Sequence, residues 1–245
     1  MKISIVTIVR NDSAHIGETL RSVLEQKGNG FEVEYIVIDG ASTDGTAEIV
    51  AQYADKLAFF VSEKDSGIYN AMNKGISHCT GDIIGMINSG DRYLPGAFEI
   101  VAEAFRNEGR LESIFWGDVI YQHQGVVRGF RPEKRFIGAF APHPSMFVPR
   151  KIYERIGTYD ESFSLLGDYD FMYRAVNAEK IPVLYVPEAV AFYLEDGLSD
   201  RHIFQCLKDE VRVKRRYGQN FFAAYGAFIL KVVKNFPRMV RNRRA

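Results

Sequence analysis

Three acids, Asp39, Asp65 and Asp91, each follow a short run of apolar residues and stand in polar, glycine-bearing turns. In an open α/β sheet such turns lie where ligands bind, at the carboxyl ends of the strands. Acids there suit a hard divalent cation bridging a diphosphate, because Mn²⁺ and Mg²⁺ prefer oxygen donors and bind through one or two carboxylates plus phosphates. Asp168 and Asp170, in Gly167-Asp168-Tyr169-Asp170, form a further acidic pair at the start of a helical pattern. Each of these has a structural reading beside the chemical one. Asn88-Ser89-Gly90-Asp91 can be a turn bonding its own backbone, Asp39 with Ser42 and Asp44 a helix cap, and Asp168 with Asp170 a favourable charge at a helix start.

Other chemistries lack their motifs. No G-x-G-x-x-G follows the first strand-like run and no G-x-x-x-x-G-K-[ST] occurs, which disfavours a Rossmann dehydrogenase and a P-loop kinase. His15, His78, His123, His143 and His202 show no metal-ligand spacing, and no G-x-S-x-G elbow is present. Cys79 and Cys206 are far apart and read as buried thiols in a reducing compartment.

The elements that must position these acids alternate. Ile3 to Val9 is β-branched and apolar, the pattern of a buried strand, and a helical repeat of Ile16, Leu20, Val23 and Leu24 follows it. Val33–Ile38 is expected as a second strand, followed by a helix over Ala47 to Ala54. Leu57–Val61 is expected as a third, followed by a helix with Ile68, Ala71, Met72, Gly75 and Ile76 on one stripe and Tyr69 and Asn73 to its sides. Asp82-Ile83-Ile84 is the fourth strand. The alternation predicts an α/β fold with a mostly parallel central sheet flanked by helices, and parallel strands bring Arg10-Asn11, Asp39, Asp65 and Asp91 to one edge. A helix follows Pro95. Beyond it, residues 114–121 and 126–130 read as a hairpin, residues 150–156 as a short helix, and Asp168-Tyr169-Asp170 as the entry to another.

Composition is that of a globular chain, 47% hydrophobic and 25% charged. The net charge of zero conceals an asymmetry: residues 201–245 hold 12 Lys and Arg against 2 acids, and residues 1–200 hold 19 against 29. Two units are expected, a catalytic domain over 1–200 and a basic helical extension over 201–245, with a cap at Ser199 or Asp200, a helix through Lys214, and a last segment from Phe221 to the residue before Pro237. Lys231, Lys234, Arg238, Arg241, Arg243 and Arg244 alternate with apolar residues, which fits an anionic membrane surface over residues 220–245. No run reaches the ~20 apolar residues of a spanning helix. Met1-Lys2 leads straight into strand-like sequence, so a cytoplasmic protein is expected, with peripheral attachment at the inner face of the cell membrane. The acidic body argues against nucleic acid.

In order over residues 3–200 stand Ser4-Ile5-Val6-Thr7 with Asn11, Asp39-Gly40-Ala41-Ser42-Thr43-Asp44-Gly45-Thr46, Ser62-Glu63-Lys64-Asp65-Ser66-Gly67-Ile68-Tyr69-Asn70-Ala71-Met72-Asn73-Lys74-Gly75, Gly81-Asp82, Asn88-Ser89-Gly90-Asp91 and Gly167-Asp168-Tyr169-Asp170. This series resembles a family 2 glycosyltransferase of the GT-A fold, of the bacterial surface-polysaccharide type. The resemblance implies an inverting, metal-dependent enzyme that moves a sugar from a UDP-sugar to a hydroxyl of a glycan or glycolipid acceptor. It implies that Asp39 accepts the uracil imide N–H, that Asp91 holds Mn²⁺ or Mg²⁺ on the diphosphate, and that Asp168 is the general base. Thr7, Arg10, Asp65, Tyr69, Asn73, Asn88 and His143 are implied around the donor, and Gly197-Leu198-Ser199 resembles a loop near the diphosphate. The chain departs from the family pattern at Arg10, where relatives often have Tyr, at Met72 for Arg, Asn70 for Asp, and Gly167 for an acid. Asn88 and Gly90 replace acids of the D-x-D-type motif. Two alternatives remain: a non-catalytic adaptor that binds the nucleotide-sugar, and a nucleotidyltransferase, though Arg10-Asn11-Asp12 is not the Gly-rich loop the latter uses.

Overall fold

The computed structural model describes residues 1–131, 141–195 and 202–242, with side chains of the last segment described to residue 233. Nine strands among the described residues form one sheet: β1 (Lys2–Val9), β2 (Glu32–Asp39), β3 (Phe59–Ser62), β4 (Ile83–Met86), β5 (Arg92–Tyr93), β6 (Ile114–Tyr121), β7 (Gly125–Val127), β8 (Met146–Pro149) and β9 (Val183–Tyr193). Their order is β3-β2-β1-β4-β8-β6-β9-β5, with β7 paired to β6. The first four strands are parallel, as the alternation requires. Val9 lies opposite Asp39 and Asp39 opposite Ser62, so their polar turns emerge together.

The second half is mixed. β8 runs antiparallel to β4 and to β6, and β9 runs parallel to β6 and antiparallel to β5. Reversing twice across the sheet brings the start of β8 and the ends of β6 and β9 to the same edge as the ends of β1 to β4. β9 and β5 are not evident in the sequence, because β9 contains Pro187 and bulges against β6 between Asp118 and its neighbours, while β5 is two residues long. β4 continues two residues beyond the Asp82-Ile83-Ile84 run, and the ladder to β1 is prolonged by Ile87 N–H to Val6 O (3.0 Å) and Ser89 N–H to Ile8 O (3.2 Å).

Helices cover both faces, and the period-2 alternation of the strands feeds both cores. Ile3, Ile5 and Val9 of β1 with Tyr35 and Val37 of β2 meet α1 (Ile16–Leu24) and α4 (Ala97–Glu108); α2 (Thr46–Ala51) lies on that side through Val50. Val6 of β1 with Ile36 and Ile38 of β2 meet α3 (Ile68–Ser77), α5 (Arg150–Ile156) and α6 (Gly167–Tyr173). Each large apolar side chain so buried contributes about 1.5–3 kcal/mol. α7 (Ile203–Arg216) buries Leu207, Val211 and Val213 and ties Arg216 to Asp160 and Asp170 at 2.7 and 2.9 Å. α8 (Phe221–Asn242) runs through Pro237, where a stop was expected; a proline removes one backbone bond of the ladder without necessarily ending it. The helix after β2 is shorter than expected, closing at Ala51 with a separate turn at Ala54–Lys56. The cap expected at Ser199 or Asp200 lies outside the described residues.

Candidate active site

The loops after β1 and β2 are sewn to each other. Asn11 and Ala41 both adopt left-handed backbone conformations (φ 51° and 56°), which Asn tolerates and Ala adopts at a cost of about 1–2 kcal/mol. Ser42 Oγ accepts the Asn11 N–H at 2.7 Å, Asn11 Oδ1 accepts the Thr43 N–H at 2.8 Å, and Thr46 Oγ1 accepts the Asp12 N–H at 2.9 Å. Asp39 is fully buried beneath this lacing. Its carboxylate accepts from the Ser42 N–H at 2.9 Å, the Ser42 hydroxyl, and the Ser62 hydroxyl at 2.5 Å, so it joins the ends of β2 and β3. Next in the chain is Gly40, where a Cβ would collide with Asp65 Oδ2 and press on Arg10. Arg10 and Asp65 therefore flank one short stretch of bare backbone, and Asp65 Oδ1 also accepts the Gly67 N–H at 3.0 Å ahead of α3.

The loop after β4 is anchored twice. Ser89 Oγ donates to Asp12 Oδ2 at 2.6 Å, and Thr19 Oγ1 accepts the Gly90 N–H at 3.0 Å while donating to Asp91 O at 2.8 Å. Asp91 is 4% exposed, with Oδ1 accepting the Leu194 N–H at 2.9 Å from the end of β9. Burial pushes its carboxyl up to about 8, against the opposing pull of that N–H. Among the described residues no three His, Cys, Asp or Glu side chains gather as a metal cage. One buried carboxylate fits a divalent cation shared with a diphosphate; it does not fit an ion held by protein alone.

Asp168 occupies a second cluster, built from α3, α6 and the turn His143–Ser145 before β8. Tyr69 donates its hydroxyl to Asp168 Oδ1 at 3.0 Å. The Tyr69 ring lies flat on Gly167, where a Cβ would come within 2.8–2.9 Å of three ring atoms, so any larger residue would displace it. Burial and the nearby Asp168 charge push the Tyr69 hydroxyl well above its ordinary range. His143 Nε2 is sealed from solvent without a partner among the described residues, and burial lowers the imidazole's pKa against the pull of Asp168. Tyr159 packs between them, with ring centroids 5.7 Å from Tyr69 and 6.4 Å from His143.

The structure thus groups Arg10, Asp39, Asp65, Asn88 and Asp91 in the loops of one sheet edge, and Tyr69, His143 and Asp168 in a cluster connected to that edge through α3. Two expected donor contacts are placed differently. Thr7 is fully buried, its hydroxyl 2.9 Å from Tyr35 on the α1–α4 face, because position 7 shares the side of β1 that holds Ile5 and Val9. Asn73 clamps Tyr159, donating to its carbonyl at 2.9 Å and accepting its N–H at 3.0 Å. Tyr69, expected at the side of its helix, is buried at 4% exposure. Asp12, Ser62, Tyr159 and Leu194 are not evident as site residues from the sequence; Asp12, as an acid after the first strand, and Ser62, at the head of the Asp65 motif, carry a signal, and Tyr159 and Leu194 carry none. Gly197-Leu198-Ser199 lies outside the described residues.

Comparison with known proteins gives a consistent picture. The family model described as glycosyl transferase family 2 matches residues 4–169. An uncharacterised glycosyltransferase of Mycobacterium tuberculosis is 33% identical over 180 residues, covering 71% of this chain and 68% of the relative. A PGL/p-HBAD biosynthesis glycosyltransferase of Mycobacterium bovis is 25% identical over 243 residues, covering 97% and 91%. Among solved structures, S. aureus TarS 1-349 in complex with UDP-GlcNAc superposes with a TM-score of 0.69 at 16% identity, covering 99% of this chain and 79% of that one. The mannosyltransferase PcManGT from Pyrobaculum calidifontis, in complex with GDP-Man and Mn²⁺, gives 0.63 at 17%, covering 98% and 73%. A longer TarS chain is spanned to 41% of its length. At these identities the structural likeness carries the fold, an α/β sheet of the GT-A kind.

Proposed function

The chain belongs to glycosyl transferase family 2, and from that premise we propose that it transfers a sugar from a UDP-sugar to a hydroxyl of a lipid-linked glycan acceptor, with inversion at the anomeric carbon. The observation that carries the reading is the setting of Asp168: one carboxylate oxygen is held by Tyr69 at 3.0 Å, on the helix that starts directly after the Asp65 turn. In this reading Asp168 takes the acceptor hydroxyl proton as that oxygen forms its bond to the anomeric carbon, and the bond from that carbon to UDP breaks on the opposite side. Arg10 and Asp65, which flank the bare backbone at Gly40, would line the nucleoside together with Asp39. His143, whose Nε2 has no partner among the described residues, is a second neutral group whose electrostatics feel the base, beside Tyr69. A divalent cation, Mn²⁺ or Mg²⁺, between Asp91 and the diphosphate would offset charge on the departing UDP. UDP complexes of TarS and the Mn²⁺ complex of PcManGT support the donor class and the cation. A nucleotide-sugar donor and a lipid-linked acceptor together imply work at the cytoplasmic face of a membrane.

The test is UDP release from a panel of UDP-sugars with Mn²⁺ or Mg²⁺, with donor binding followed by calorimetry. One sugar should support release, and Asp168→Asn should lose about 10²–10⁴-fold of turnover while binding that donor as before. Near-normal turnover in this variant would remove Asp168 from the mechanism. Donor binding without release, with acceptor or with water, would point instead to an adaptor.

A further inference from the structure

The last helix carries an apolar face that the described residues leave open. Phe221, Phe222, Tyr225, Ile229, Leu230 and Val233 are 51, 83, 41, 60, 72 and 68% exposed. The opposite side of α8 is fixed to the body, with Ala224 buried and Lys231 Nζ at 2.6 and 2.7 Å from the two carboxylate oxygens of Glu210 on α7. Phe204, 45% exposed, extends the patch through its ring contact with Phe228 at 6.0 Å. Of the exposed large hydrophobic side chains among the described residues, only Val126 lies away from these two helices. The patch is rimmed by cations. Exposed Lys208 and Arg215 stand over Phe204 and Phe221 at 4.7 and 5.8 Å from the ring centroids. The helix itself carries Lys231, Lys234, Arg238 and Arg241 and no acid, and residues 201–245 carry 12 basic residues against 2 acids.

We propose that α8 lies in the interface plane of an anionic lipid bilayer, with this face among the headgroups and upper acyl chains. A helix with a wide apolar face and a basic rim has that orientation as its favourable one. No helix among the described residues is long and apolar enough to cross a membrane, so the contact is one of lying on it. A second copy of the chain is the poorer occupant. Its body offers no matching apolar patch among the described residues, and pairing the two α8 faces would bring two strongly basic segments together. The contact needs neither donor nor turnover, and so stands apart from the transfer reaction.

The test is cosedimentation of the full chain with vesicles of phosphatidylcholine alone and with about one third phosphatidylglycerol. Binding should favour the anionic vesicles and fall with added salt. Phe222→Ser combined with Leu230→Ser changes only exposed positions; it should leave the melting temperature unchanged and weaken binding about tenfold or more. The proposal is overturned by a native chain that ignores anionic vesicles, or by a variant that binds them equally. It is also overturned by a native dimer that the same substitutions convert to a monomer while neither form binds lipid.

Discussion

Tyr69 holds one oxygen of Asp168, and in the proposed mechanism the other would face the acceptor hydroxyl, which makes Tyr69 a positioning residue for the proposed base. Gly167 belongs to the same device: any side chain there would displace the Tyr69 ring. Tyr69→Phe keeps the packing and deletes only the hydrogen bond. A bond to a charged group is worth about 1.5–3 kcal/mol, so kcat should fall roughly 10- to 100-fold, with donor affinity nearly unchanged and the melting temperature lowered by several degrees at most, at about 2–4 °C per kcal/mol. A matching rise in donor Kd or a large loss of stability would assign Tyr69 to binding or to folding instead. Asp91 gives a prediction of different sign. Its carboxyl titrates near 3.8 in the unfolded chain and is raised to about 8 in the fold. Between those values the unfolded state has released a proton that the folded state retains, so stability falls as pH rises through the interval. Asp91→Asn should flatten this decline in metal-free thermal melts, and a slope identical to wild type would sink the assignment. The same burial predicts that Mn²⁺ binds weakly alone and more tightly with UDP present, by calorimetry.

At the scale of elements, the edge opposite the site carries its own polar knot. Glu34 of β2, 7% exposed, accepts from Lys2 Nζ (2.6 Å), Ser4 Oγ (2.5 Å), and Thr80 N–H (2.7 Å) and Oγ1 (2.6 Å), joining β1, β2 and the turn before β4. Burial alone would raise its carboxyl, yet these bonds bring it down to about 2. The stabilisation is complete above the ordinary value near 4.5 and is lost as pH falls through the lowered one. Glu34→Gln should therefore cost about 1–3 kcal/mol at neutral pH in denaturant melts and converge on wild type in acid. An unchanged midpoint at neutral pH would show the knot to be ornamental. Strands such as β1 and β2 were legible because doubly buried parallel strands read as β-branched runs. β9 was not, since its pairing depends on a bulge at Pro187 that no local pattern announces. The Asp168 motif was visible in sequence, but its partners were not: Tyr69 and Tyr159 are brought to it from 99 and 9 residues away by packing, and tyrosine on a helix flank carries no signal of burial.

At the scale of the whole molecule, charge and packing divide the chain at different points. The charge pattern changes near residue 200, but α7 is packed as part of the body. Leu207, Val211 and Val213 are buried, Arg216 bridges Asp160 and Asp170, and Tyr217 stacks on Tyr173 at 5.3 Å. The chain then turns at Gly218 (φ 82°) and enters α8, where most of the large apolar side chains described, up to residue 233, are exposed. We infer that the extension begins there, with α8 as an outrigger on an otherwise continuous fold. Proteases open such helices first, because few buried contacts oppose their local unfolding. Trypsin acting on the native chain without lipid should therefore leave a protected core ending at Arg216 or at Lys231, since no Lys or Arg stands between them. Trp116, the sole tryptophan and fully buried in β6, should keep its fluorescence in that core. Anionic vesicles should slow the trimming, since α8 would then be covered. An early cut that releases α7, or loss of the Trp116 signal together with α8, would place α8 within the cooperative body.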